Sequence, residues 1–447
     1  MPSGVTQSGI TLPTIKYVNS ISEEFPNQNR NYKVESAISG RYLRDHIPIN
    51  GNISTHAVTD TYAEFLIHSN GSELLNLGSF FLETHMRILK PNGKPIDDAC
   101  KVSIVDGLSH RILSRSSLFL NGVAVESNAY FGLYNAVKTY LTAAKSFIPV
   151  GGRNALYKDI NTHIPPKTFT ADHYDSSKIS EDEDQLIKEC RGSLNFITPL
   201  QLDISSSNFF LLNNVDIRLR FDLSPASVII NSIDNAAYKY SVDSMKLWCE
   251  KVVPYPSALV SLNKTLSPQN SIEYIFTRPI IKSFVFPAGH SSLSLDNIFN
   301  GLVPHTLYIF FIPQANLYGE FDRNAAYFSN ASLENVRLEI NGNTISSITS
   351  KFPTNIAHIF HHTLSNLRGE HNLLNLKTFK DGRTIIVYDL RTSDCEDVIA
   401  IEKTGNVRLT VQSSPPIQEN LIAFAVGDTT ALVEVDGQRR VKTSYLM

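Results

Sequence analysis

One local pattern occurs twice in this chain, and that repetition limits the folds open to it. Residues 116–141 read SSLFLNGVAVESNAYFGLYNAVKTYL: an alternating strand, an Asn-Gly turn, a second strand and an amphipathic helix. The same order returns as ENVRLEINGNTISS from Glu334, followed by NIAHIFHHTLSNLRG ending at Gly369. Asn-Gly between alternating apolar runs is a strong hairpin signal because both residues tolerate positive φ. The two turns lie 220 residues apart, and other segments keep the same order. FLI (Phe65–Ile67) pairs with FVF (Phe284–Phe286) at 219, and THMRIL from Thr84 pairs with TLYIFF from Thr306 at 222. After the helix the spacing falls to 190, for Arg218 with Arg408 and for Gly192 with Gly382. The difference of about 30 residues falls on the polar stretch 145–192. The pattern therefore predicts a duplicated structural unit with one enlarged loop.

Each unit reads as about eight short strands with one helix among them, near 129–144 in the first half and near 354–368 in the second. Phe131, Tyr134, Val137 and Leu141 share a face of the first helix, with Ser127 or Asn128 placed to cap it. Ile356, Ile359, Phe360, Leu364 and Leu367 form the stripe of the second, and Gly369 stands where a C-cap belongs. An up-and-down barrel would not need such long crossings, whereas an eight-stranded, two-sheet jelly roll does. The expected fold is thus all-β, with two tandem eight-stranded jelly rolls (a double jelly roll), each carrying one short helix in a loop. The expected divisions are an extended arm at 1–40, a first jelly roll at 41–253 and a linker at 254–272. A second jelly roll at 273–437 and a tail at 438–447 complete the chain. A length of 447 residues suits two cores of this size.

Charged residues make up 19% of the chain, below the roughly 25% of an average globular protein, so Ser, Asn and Thr must carry much of the polar surface. The formal charge is −3, and the first 35 residues set Lys16, Arg30 and Lys33 against Glu23, Glu24 and Glu35. Without a basic face or arm, direct sequence-specific nucleic-acid binding is not expected. The four cysteines, at 100, 190, 249 and 395, form no CxxC pair, which predicts reduced thiols rather than a zinc ribbon or a disulfide scaffold. Residues 1–30 show no signal-peptide pattern, and no apolar run approaches the ~20 residues of a membrane span.

No constellation in the sequence carries chemistry. His358 and His362 stand at i and i+4, a spacing able to hold zinc, but the third ligand would have to be His371 and no HExxH is present. The acidic run Glu181–Asp184 lacks the glycine and ligand spacing of a calcium loop. Gly151 and Gly152 belong to no phosphate-binding motif, and no GxSxG elbow occurs. The single tryptophan, Trp248, is expected in the core of the first barrel. Catalytic, cofactor-binding and metal residues are expected to be absent, and the chain is not expected to be an enzyme.

Four stretches carry a family likeness: LFLNGVAVES, NFFLLNNVDIRLRF, PIIKSFVFPAGHSSLSLDNIFNGLVPHTLYIFFIP and GNVRLTVQSSPP. Through them, between about Tyr62 and Gly437, the chain resembles the hexon-type, double-jelly-roll major capsid proteins of Maverick/Polinton-type DNA elements and adintoviruses. The resemblance implies a homotrimeric capsomer with a pseudo-hexagonal outline that tiles an icosahedral shell. It also implies contacts with penton and other minor capsid proteins, and a place in the virion after synthesis and assembly inside the host cell. The alternatives are a tandem β-sandwich that binds carbohydrate, and a minor capsid or host-retained relative that no longer builds shells.

Overall fold

The protein is described by a computed structural model covering residues 37–49, 62–97, 100, 102–143, 192–206, 209–232, 236–266, 271–350, 356–367, 372–391 and 403–445. The first half contributes eight principal strands: β1 (Ile38–His46), β2 (Tyr62–Ile67), β3 (Phe81–Leu89), β4 (Leu113–Leu120), β5 (Val123–Asn128), β6 (Ser193–Pro199), β7 (Ile217–Leu223) and β8 (Lys239–Pro254). The second half contributes β9 (Ile272–Phe286), β10 (Ser292–Leu295), β11 (Thr306–Pro313), β12 (Leu333–Ile340), β13 (Asn343–Thr349), β14 (Ile385–Asp389), β15 (Val407–Ser413) and β16 (Leu421–Val435). A last strand, β17 (Val441–Tyr445), pairs with the end of β16.

The two halves share one topology. In the first, one sheet runs β1-β8-β3-β6 and the other β2-β7-β4-β5. In the second the orders are β9-β16-β11-β14 and β10-β15-β12-β13, each strand eight places on. Two four-stranded antiparallel sheets connected in this order form a jelly roll, so the chain is a double jelly roll as its sequence predicts.

The correspondence holds at the level of single residues. Arg218 of β7 lies opposite Phe119, and Arg408 of β15 opposite Glu339, which preserves the spacings of 190 and 220. At the first hairpin Asn121 and Gly122 have φ of 45° and 81°; at the second Asn341 and Gly342 have 52° and 79°. Each Asn also fastens its hairpin to the strand that follows the helix. The Asn121 N–H donates to the Asp216 carbonyl (3.0 Å), and the Asp216 N–H donates to Asn121 Oδ1 (2.8 Å). Asn341 and Asn406 repeat both bonds at 2.9 and 2.8 Å.

Two expectations need correction. FLI and FVF are not equivalent: Phe65–Ile67 belongs to β2, whereas Phe284–Phe286 ends β9, the counterpart of β1. The counterpart of β2 is β10, and a three-residue apolar run cannot distinguish neighbouring half-buried strands. The helices also exceed one per barrel. Besides α1 (Phe131–Thr142), α2 (Pro256–Thr265) and α3 (Ala357–Asn366), helical turns occur at Leu108–Arg111, Ala226–Ile229, Gln314–Tyr318 and Leu376–Lys380. Turns of four or five residues are too short to display a 3.6-residue period.

The start of α1 is fixed by close packing. Asn128 Oδ1 accepts the Tyr130 N–H at 3.0 Å, just ahead of the first helical residue. A Cβ at Gly132 would lie 2.3 Å from the carbonyl oxygens of both His110 and Leu113, so only glycine fits there.

Each barrel has its own core, and each core borrows from the other half. The first contains Phe65, Leu82, Phe131, Leu219 and Phe221, and also Tyr274 and Phe276 of β9 with Val433 and Val435 of β16. The second contains Ile309, Phe310, Leu409 and Phe424, and also Tyr134, Val137, Tyr140 and Leu141 of α1. The first-half helix thus completes the second core, with Tyr130 edge-on to Phe424 at 5.2 Å between ring centroids. Each large apolar side chain buried across the boundary contributes about 1.5–3 kcal/mol to docking.

Candidate functional site

The boundary between the barrels carries a connected cluster of buried polar groups. Lys138 on α1 donates to Asp428 Oδ2 at 2.6 Å and to the Tyr308 hydroxyl at 3.0 Å. The Tyr134 hydroxyl donates to Asp428 Oδ1 at 2.8 Å, and the Tyr308 hydroxyl to Asp428 Oδ2 at 3.0 Å. Burial opposes the charge on Lys138, but the adjacent Asp428 outweighs it and holds the ammonium well above its ordinary range. Burial, reinforced by Asp428, raises the Tyr134 hydroxyl well above 10. A second ion pair, between Asp106 and Arg383, also joins the halves, and Asp106 accepts the Tyr140 hydroxyl at 2.8 Å. The guanidinium of Arg383 lies 4.5 Å from the Tyr140 ring centroid. Arg111 Nη1 donates across the same boundary to the Ala325 carbonyl at 3.0 Å.

These groups hold the barrels in one relative placement. Apolar packing alone permits sliding, whereas a buried carboxylate with three donors accepts few geometries. The sequence carried a partial signal: Lys138 follows Tyr134 by one helical turn and interrupts an otherwise apolar stripe. Its partner, Asp428, is 290 residues away and leaves no local trace.

Outside the boundary, apolar side chains stand exposed on sheet edges. Among the described strands β1 pairs only with β8, and Leu43 in it is 56% exposed. Ile47 and Ile49, just beyond β1, are 74% and 58% exposed. Ile197 on β6 and Val285 on β9 are also exposed. Open edges with apolar side chains are surfaces that associate.

The candidate metal histidines do not converge. His358 and His361 face solvent, while His362 packs against Tyr388 with ring centroids 4.9 Å apart. Burial lowers the His362 pKa, and His358 and His361 lower it further. Among the described residues no group of three His, Cys, Asp or Glu could hold a metal. His371, Gly151, Gly152, Cys190, Cys395, Gly369 and the Glu181–Asp184 run lie outside the described residues.

Trp248 is not a core residue. It lies half-buried on the outer face of β8, stacked on Phe81 at 6.0 Å, with its Nε1–H donating to Glu83 Oε2 at 2.9 Å. Strand alternation places Leu247 and Cys249 inward and therefore Trp248 outward.

Neighbouring strands also bring a serine, a histidine and an aspartate into line. Ser193 Oγ lies 2.9 Å from His85 Nε2, and His85 Nδ1 lies 3.7 Å from Asp243 Oδ2. The second distance is too long for a hydrogen bond. Arg87 engages both Asp243 oxygens, at 2.6 and 2.7 Å, so the carboxylate does not orient the imidazole as a triad requires.

With two equivalent jelly rolls fastened by a polar boundary, the molecule falls in the class of double-jelly-roll proteins. Solved structures with this fold include a chain of the Sputnik virophage determined by cryo-EM, with a TM-score of 0.57 and 12% identity, covering 99% of this chain and 94% of that one. The mavirus major capsid protein gives 0.52 and 11%, with coverages of 100% and 97%. The Faustovirus major capsid protein gives 0.55 and 10%, with 90% and 92%. No family model matches the sequence, and no curated protein matches it.

Proposed function

We propose that this chain is a major capsid protein. In this reading three copies form a homotrimer whose six barrels give a pseudo-hexagonal capsomer, and capsomers tile the icosahedral shell of a double-stranded DNA virus. A Maverick/Polinton-type element or an adintovirus is the origin that the sequence resemblance favours. The protein works in the virion after synthesis and assembly inside the host cell. Its partners are copies of itself, with penton and other minor capsid proteins at special positions. Its role is structural, without catalytic, cofactor or metal residues. Residues 41–253 and 273–437 serve as the two tiles, joined through 254–272.

The observation that carries this reading is the near full-length correspondence with capsid chains, achieved at 10–12% identity. What the two sides share is the double-jelly-roll fold. Among the described strands β1, β6 and β9 stand at sheet edges and carry exposed apolar side chains, lateral surfaces of the kind that symmetric assembly uses. No helix among the described residues is long and apolar enough to cross a membrane.

The test is size-exclusion chromatography with light scattering on the full chain, followed by negative-stain microscopy. The expected result is a particle of about three times the 49.8 kDa chain mass with a triangular or hexagonal outline, or closed shells. A monodisperse monomer across the accessible concentration range would refute the proposal.

A further inference from the structure

Near the inter-barrel ion pairs, Glu126 of β5 points into the boundary and is 1% exposed. Its Oε1 accepts the Ser116 hydroxyl at 2.8 Å, and its Oε2 accepts the backbone N–H of Asp203 at 2.9 Å. Asp203, 7% exposed, opens the helical turn Asp203–Ser206. The same turn touches the second barrel, because the N–H of Thr277 on β9 donates to Ser206 Oγ at 3.0 Å.

Charges reach this pair from several elements. Arg278 comes from β9, Asp428 from β16 and Lys138 from α1, with the hydroxyls of Tyr134 and Tyr308 beside them. Ser116 approaches from β4, and the neighbouring turn Leu77–Ser79 adds no titratable group. Lys442 of β17 and Glu273 of β9 are exposed to solvent. Three carboxylates, Glu126, Asp203 and Asp428, therefore meet two cations, Lys138 and Arg278. Ionising both Glu126 and Asp203 would place two negative charges together in a dry interior, at a cost that retaining one proton removes.

We propose that Glu126 and Asp203 form a proton-dependent latch between the barrels. A proton retained on the buried pair spares the interior an unpaired charge and keeps the Asp203–Ser206 turn seated, with Asp203 N–H on Glu126 and Ser206 Oγ on the Thr277 N–H of β9. Its loss drives the carboxylates apart and loosens the turn from β9. Ligand, metal and partner play no part.

The direction follows from the electrostatics. Burial pushes the Glu126 carboxyl up to about 7 against the pull of Ser116, the Asp203 N–H and Arg278. Burial and the neighbouring Glu126 push Asp203 up as well. A carboxyl whose folded pKa exceeds its unfolded value of 4.5 stabilises fully below that value. Its contribution is drawn down as pH rises and is gone once the pH passes about 7.

Hydrogen exchange by mass spectrometry on the full chain, corrected for the intrinsic pH dependence of exchange, tests the latch. Between about pH 5.5 and about pH 8.5, protection of residues 203–206 and 272–278 should fall roughly tenfold. Protection within β12 and β15 should not change. Glu126→Gln and Asp203→Asn should each shrink the change, and the double variant Glu126→Gln/Asp203→Asn should hold it below about twofold. The wild-type measurement decides the matter if either variant fails to fold. Unchanged wild-type protection, an equal loss in β12 and β15, or a full-sized loss in folded variants would overturn the latch.

Discussion

Asp106 joins the barrels with two donors, Arg383 and the Tyr140 hydroxyl, in a site where its side chain is 4% exposed. Removing one member of a buried ion pair strands the other in a low-dielectric interior. Asp106→Ala should therefore cost about 3–5 kcal/mol, read as a lowered urea midpoint. Asp106→Leu combined with Arg383→Met should recover most of that loss, because the desolvation cost then disappears from both partners. A double variant as weak as the single one would mean that the pair stabilises through its charge. A related contrast holds for Lys138 and Trp248. Lys138 is half-buried among acceptors from the other half. Trp248 looked like core and sits outside, because residue type was weighed above strand alternation.

At the scale of elements, the duplicated hairpins invite a paired experiment. Asn121 and Asn341 each hold positive φ and each accept a backbone N–H from the later strand. Asn121→Ala and Asn341→Ala should each destabilise by about 1–2 kcal/mol, from a lost hydrogen bond and a strained left-handed residue. The sites lie in different barrels, so the double variant should show the sum, measurable in the same denaturation series. A strong effect at one site and none at the other would argue that the halves use their hairpins differently. Whereas α2 lies in the stretch 254–272 expected to be a linker, both hairpins and the helices α1 and α3 were legible in the sequence because each has a local period or a turn dipeptide. The register of β2 was not, since Phe65–Ile67 is too short to identify its partner. The short helical turns were not legible for the same reason. The polar boundary was hidden because its members, such as Tyr134 and Asp428, meet only after both barrels have formed.

For the whole molecule, stability and assembly should respond to pH separately. Loosening of the latch above about pH 7 changes the boundary inside one chain. The exposed apolar edges of β1, β6 and β9 carry Leu43, Ile197 and Val285, which do not titrate. The mass of the proposed trimer, measured through the same pH range, should therefore hold while exchange at β9 rises. A mass that collapses at the pH where exchange rises would place the latch in control of association as well.

The crossing of side chains between the two cores has a further consequence. Without α1 the second barrel lacks Tyr134, Tyr140 and Leu141, and without β9 and β16 the first lacks Tyr274, Phe276 and Val433. Residues 1–266 and 271–447, produced separately, should each remain uncooperative by circular dichroism and should recover a sharp melting transition when refolded together. A cooperative transition in either fragment alone would contradict this. Fragments that regain order only together would act as mutual templates, each barrel finishing its core with side chains lent by the other.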